Sequence, residues 1–211
     1  MATATTPTST TPRPRAPRRS NGPIIAGIAI AVVLVLAVVL GFGVFSGGSS
    51  KSPAAGTTGA VKSAGVLLGK ALTEMNGGNL DQAKTDLQQV GRLDPHNKYA
   101  FYNLAYIAQT QGNKGDAESQ YKATLAIDPK YDPALYNLAI LRTAAGDTAG
   151  AIALYEQAVA SAPNDANAHF NLGLLLRQTG HVAAGNTQIQ NAVQLAPALA
   201  SAARAQGIPV G

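Results

Sequence analysis

Residues 98–131 read KYAFYNLAYIAQTQGNKGDAESQYKATLAIDPKY, and residues 132–165 read DPALYNLAILRTAAGDTAGAIALYEQAVASAPND. Laid over each other, the two stretches share an apolar, aromatic start, a central Gly and a Pro near the end. Pro95, Pro129, Pro163 and Pro197 recur every 34 residues, as do Gly78, Gly112, Gly146 and Gly180. Ala83, Ala117 and Ala151 form a third series, with Gly185 at the fourth place; Asn103, Asn137 and Asn171 form another. Several residue types kept in register at one period mark a repeat architecture, each period being one supersecondary unit.

Within a unit the pattern is helix, short turn, helix. In 98–111 the apolar residues Phe101, Leu104, Ala105 and Ala108 follow a three-to-four spacing, which gives a helix one buried face. Gly112 then supplies a left-handed C-cap. The second helix aligns Ala117, Tyr121, Thr124 and Leu125, and the small Ala117 lets the two helices approach closely. Pro129 closes the unit because it cannot continue a helix. The next unit repeats the plan with Leu135, Leu138, Ala139, Gly146, Ala151, Tyr155, Ala158 and Pro163.

These residues resemble the tetratricopeptide-repeat family. Its pattern has a large apolar residue, Leu-Gly, Tyr, a turn Gly, Ala, an aromatic, Ala and Pro. The resemblance covers four units, 64–97, 98–131, 132–165 and 166–199. The first keeps Ala71, Gly78, Ala83, Leu87 and Pro95 but lacks the early aromatics. The fourth keeps Leu172-Gly173, Gly180, Ala192 and Pro197 and departs at His169 and Gly185, so its second helix is expected to be looser. The resemblance implies an all-α fold: a right-handed α-solenoid whose first helices line a concave face. Residues 198–205 would add a C-terminal capping helix, with 200–211 holding its end and a tail.

Working outward, the formal charge of +5 is unevenly placed. Residues 1–23 hold Arg13, Arg15, Arg18 and Arg19 and no acid. Residues 24–45, IIAGIAIAVVLVLAVVLGFGVF, hold no charge. Lys51 and Lys62 follow. The stretch 66–197 carries nine bases against all 11 acids, a net of −2, and Arg204 comes last. A helix of 22 residues is about 33 Å long at 1.5 Å per residue, enough to cross a hydrocarbon core of about 30 Å. Arg-rich flanks stay in the cytoplasm. The expected arrangement is a disordered basic tail (1–23), one transmembrane helix (24–45), a flexible Gly/Ser/Thr/Ala linker (46–63) and the repeat domain outside the cytoplasm. The Ala-, Gly- and Thr-rich composition without Cys points to a bacterial, single-pass, membrane-anchored chain. The rival is a cleaved signal segment that releases a secreted binding module.

The resemblance places partners on the first helices. The residues expected to face them are Tyr99, Tyr102, Asn103 and Tyr106, then Tyr136 and Asn137, then Phe170 and Asn171. A side-chain amide both donates and accepts, so the Asn series can pair with peptide groups, and aromatics supply contact area. One subgroup grips acidic C-termini with a Lys/Asn/Asn/Lys/Arg clamp. The matching positions here hold Gly65, Gly69, Asn103, Pro133 and Asn137, and only Asn103 agrees, so that partner is excluded.

Zero Cys excludes thiolate zinc sites, iron–sulfur clusters and a Cys nucleophile. His96, His169 and His181 lack partners at ligand spacing, and the Gly41-Phe42-Gly43 run follows no strand, so it is no nucleotide loop. No enzyme, metal, cofactor or nucleic-acid partner is expected. The sequence points to a membrane-anchored scaffold for a protein or peptide. A homo-oligomeric assembly protein of the cell envelope is the alternative.

Overall fold

Each 34-residue period becomes a helical hairpin in the computed structural model, which describes residues 55–209. The basic tail, the apolar run 24–45 and the start of the linker lie outside the described residues. Among the described residues no helix is long and apolar enough to cross a membrane, and no strand occurs. The hairpins are α1 (Ala55–Asn76) with α2 (Leu80–Leu93), α3 (Lys98–Thr110) with α4 (Lys114–Ile127), α5 (Asp132–Ala144) with α6 (Thr148–Ser161), and α7 (Ala166–Gln178) with α8 (Val182–Leu195). A 3₁₀ turn at Pro197–Leu199 leads into α9 (Ala200–Ala205).

The turns follow from the Gly series. Gly78, Gly112, Gly146 and Gly180 have φ of 80°, 79°, 81° and 89°, a region where a side chain is strained. Each follows the last turn of a first helix and reverses the chain into the second. Asn97, Asp147 and Asp165 cap the next helices by accepting from the amides of Ala100, Gly150, and Asn167 with Ala168.

Packing repeats with the same period. Ala83, Ala117 and Ala151 are fully buried where the two helices of a hairpin cross. Between hairpins, Ala100, Leu104 and Ile107 of α3 pack on α2 against Leu87 and Val90. Ala134, Leu138 and Leu141 of α5 pack on Ala117 and Tyr121. Leu172 and Leu175 of α7 pack on Ala151 and Tyr155, and Ala168 on Ala158. The core is a series of apolar clusters that recur along the stack, one between each pair of neighbouring hairpins.

Both ends of the stack depart from the repeat. On α1 the corresponding outward positions are Val66, Lys70 and Thr73. Lys70 Nζ lies 2.8 Å from Asp86 of α2 and 3.3 Å from Glu74. At the other end α9 turns at Gly207 (φ 68°) and buries Ile208 against Ile189 and Ala203.

Two expectations are corrected. The flexible linker was to reach residue 63, but α1 already begins at Ala55. Ala64 and Ala71 are fully buried, and a helix fixed there extends N-terminally at one hydrogen bond per added residue, despite the Gly and Thr that read as linker. The second helix of the last unit is expected to be looser, yet α8 packs closely on α7. A Cβ on Gly173 would stand 2.5 Å from Ile189 Cγ1, and one on Gly185 would stand 2.6 Å from the Gly173 carbonyl oxygen. Gly185 replaces Ala because α8 approaches α7 more closely than an Ala allows.

Candidate functional site

In a helix, residues three and four apart share a face, so Tyr99, Tyr102, Asn103 and Tyr106 rise along one side of α3. Tyr136 with Asn137, and Phe170 with Asn171, hold the same places on α5 and α7. Tyr99 is 47% exposed; the other seven are half-buried.

Contacts tie successive first helices together across this face. Asn137 Nδ2 donates to the Tyr102 hydroxyl at 3.2 Å. One repeat later, Asn171 Nδ2 donates to the Tyr136 hydroxyl at 3.1 Å and to that of Tyr155 at 3.3 Å. Asn103 has Leu68 where those two find a tyrosine, and it donates to its own helix instead, to the Tyr99 carbonyl at 2.7 Å. The three-rung Asn series is thus two rungs linking helices and one local bond. Phe170 packs beneath the C-terminal cap with Leu174, beside Ile208, which sets it apart from the other aromatics.

The structure adds Tyr131. Its ring stands perpendicular to Tyr102 (5.3 Å between centroids, 81°) and to Tyr99 (6.0 Å, 87°). The signal was in the sequence: Asn97, Tyr131 and Asp165 are 34 apart, and the outer two cap helices while Tyr131 makes no side-chain cap bond. A capping place given to an aromatic marks a ring needed elsewhere. Tyr102 also packs on Tyr121 at 5.9 Å, and Tyr136 on Tyr155 at 5.7 Å. All seven tyrosines of the chain lie from Tyr99 to Tyr155, in the second and third repeats.

The electrostatics are simple. Burial pushes the phenols of Tyr102, Tyr121, Tyr131, Tyr136 and Tyr155 up, so they remain protonated donors throughout the physiological range. The cations beside this face are engaged. Lys98 Nζ is 2.6 Å from Asp128 and lies over the rings of Tyr131 (4.8 Å) and Tyr99 (5.3 Å). Arg177 donates to Asn186 and to the Gln206 carbonyl. The surface is aromatic and rich in hydroxyls and amides, and the carboxylates of Asp132, near Tyr102 and Tyr131, and of Asp165, near Tyr136, lie beside it.

His169 lies away from it, 6% exposed. Its Nδ1 is 2.6 Å from Gln188 Oε1 and its Nε2 is 2.9 Å from the Pro163 carbonyl. It borders an open cleft of about 290 Å³ with Pro163, Asn191, Gln194 and Leu195. Among the described residues no group of three or more His, Cys, Asp or Glu side chains is placed to hold a metal.

A family model described as a tetratricopeptide repeat matches residues 68–132, and one described as a TPR repeat matches residues 141–180. No curated protein matches the chain. Among solved structures, MamA aligns with a TM-score of 0.59 at 21% identity, over 69% of this chain and 87% of that one. YrrB, described as a TPR protein with an unusual peptide-binding site, aligns at 0.59 and 18%, over 67% and 75%. The first TPR of Spaghetti, solved with the HSP90 peptide SRMEEVD, aligns at 0.54 and 22%, over 57% and 95%.

Proposed function

We propose that this chain, which belongs to the tetratricopeptide-repeat family, is a membrane-anchored scaffold that holds a protein or peptide partner on the face of its first helices. The observation that carries the reading is the Tyr102–Asn137 and Tyr136–Asn171 pairing. It sets two related polar stations, flanked by aromatic rings, one repeat apart on a half-buried surface, the second also bonded to the Tyr155 hydroxyl. Half-exposed tyrosines with satisfied neighbours are what interface centres are made of. Two structures of the same fold carry peptides or peptide-binding sites in their descriptions, which supports a peptide here. The acidic end of SRMEEVD has no free cation to meet on this face among the described residues, which argues against an acidic ligand here. The proposal carries no catalytic step.

The anchor is residues 24–45, with the Arg-bearing N-terminus in the cytoplasm and the repeat domain outside it. The support is the uncharged run and its four preceding Arg. A C-terminal fusion to a reporter active only in the cytoplasm tests this: it should stay dark, and a strong signal would refute the placement. For the groove, Tyr102→Ala combined with Asn137→Ala should abolish recovery of the natural partner after crosslinking in the native membrane. Unchanged recovery with an intact helical circular-dichroism signal would retire it.

A further inference from the structure

The tyrosine face has an acidic rim. Asp132 opens α5 and Asp165 caps α7, so both stand at the N-terminal ends of first helices that bear this face. Both are half-buried, and among the described residues neither forms a salt bridge. Asp132 lies near the phenols of Tyr102 and Tyr131, and Asp165 near that of Tyr136. Burial, and after it the like charge of Asp165, holds the Asp132 carboxyl above its usual range. The base that opposes this is Lys98, whose ammonium is already committed to Asp128 at 2.6 Å.

The same rim shows how it takes a cation. Lys98 Nζ lies against Asp128 and over the rings of Tyr131, 4.8 Å from the centroid, and Tyr99, 5.3 Å from it. Carboxylate and ring faces thus act together on one ammonium. Lys98 stands at the place that Asp132 fills one repeat later, and Tyr131 at the place of Asp165. The third repeat therefore puts an acid where the second has a base, and adds another acid, beside rings of the same kind. An acidic occupant would bring a further like charge to a partly desolvated pair, and a neutral one would leave the pair uncompensated. A guanidinium or an ammonium answers both carboxylates. Among the described residues no third His, Cys, Asp or Glu joins them as a metal would need. The adjoining Tyr102–Asn137 and Tyr136–Asn171 stations offer polar contacts to the rest of a polypeptide, which makes the cation a side chain.

We propose that the occupant of the tyrosine face is a basic segment of a partner protein, which places an Arg or Lys side chain on Asp132 and Asp165. This rests on the peptide-binding reading above and specifies the charge of its ligand.

The chain contains no Trp, so a Trp-tagged peptide can be followed by its own emission. The test titrates the full-length chain in uncharged detergent micelles with tagged Thr/Val/Arg, Thr/Val/Gln and Thr/Val/Glu peptides of equal length, with empty micelles as the blank. Saturable binding of the Arg peptide is expected, roughly three- to tenfold tighter than that of the Gln peptide, with the Glu peptide weakest. Asp132→Asn combined with Asp165→Asn removes both charges and keeps the α7 cap, because Asn caps as well as Asp. It should bring the Arg peptide down to the affinity of the Gln peptide and leave the Gln peptide and the helical circular-dichroism signal unchanged. Should the double variant lose that signal, Asp132→Asn alone is read in the same way. Unchanged Arg-peptide affinity in the Asn variant, or a Gln or Glu peptide that binds wild type as tightly as the Arg peptide, overturns the basic assignment and leaves a peptide groove standing. If no peptide binds, the basic assignment falls; if Tyr102→Ala with Asn137→Ala also leaves partner recovery intact, both readings fall.

Discussion

Gly173→Ala puts the close crossing of α7 and α8 to a test whose sign depends on the structure. In an open helix the change stabilises by about 1 kcal/mol, because Gly is the poorer helix former. At Gly173 the new methyl would stand 2.5 Å from Ile189 Cγ1 and 2.7 Å from the Gly185 carbonyl oxygen. Carbon atoms rest about 3.5–4 Å apart, so the helices must part by about 1 Å. Overpacking of this kind costs about 1–3 kcal/mol. A gap of about that width also forfeits a quarter to a half of the attraction between atoms lining it, and the lining includes the fully buried Ile189 and Ala192. The net expectation is a loss of about 1–2 kcal/mol, opposite in sign to propensity. Gly69→Ala is the control: it lies mid-helix in α1 with nothing within 4 Å of the added methyl, and should gain up to about 1 kcal/mol. Urea unfolding followed by circular dichroism reads both, and amide hydrogen exchange locates the loss in α7 and α8. A Gly173→Ala protein as stable as Gly69→Ala would refute the packing argument.

Three further outcomes follow from other parts of the molecule. Ile208→Ala removes the side chain that the cap buries at 2% exposure and should cost about 2–4 kcal/mol, with α9 amides exchanging freely; wild-type protection there would mean the cap is not docked. Gly146→Ala forces a side chain into φ 81° and should destabilise by about 1–2 kcal/mol, seen as a lower melting temperature; an unchanged value would contradict the left-handed turn. Lys70 beside Asp86 holds that carboxyl below its usual range, so its contribution is present above about pH 4 and is lost as pH falls through the depressed value. Asp86→Asn should therefore flatten the acid limb of the stability–pH curve, and identical limbs would show that the pair adds nothing.

The fold was legible because repetition amplifies weak local signals. One Gly or one Pro says little; four of each at one spacing fixed the turns at Gly78, Gly112, Gly146 and Gly180. The site was legible in position but not in bonding. Placement on a helix face follows from spacing, so Tyr102, Tyr136, Asn137 and Asn171 do meet across α3, α5 and α7. Which groups they bond depends on the neighbouring unit, as Asn103 shows by turning to its own helix where Leu68 offers no hydroxyl. Phe170 reads as one more groove aromatic until α9, a continuation of the repeat without its own second helix, packs over it. Gly185 reads as a weakness because composition does not reveal that its missing methyl makes room for a neighbour.

The two unusual ends set what a second copy would meet at either tip of the stack. A stack of like units has complementary faces top and bottom, so one copy could continue the seam of another and polymerise head to tail without closure. Here α1 sets Lys70 and Thr73 where the inner first helices set Leu104 and Ile107, Leu138 and Leu141, or Leu172 and Leu175. A copy arriving at that end would have to strip water from an ammonium already shared by Asp86 and Glu74. The other end is already covered by α9 and Ile208. A head-to-tail contact would thus have to dislodge the Lys70 ion pairs at one tip or the α9 cap at the other before two seams could join.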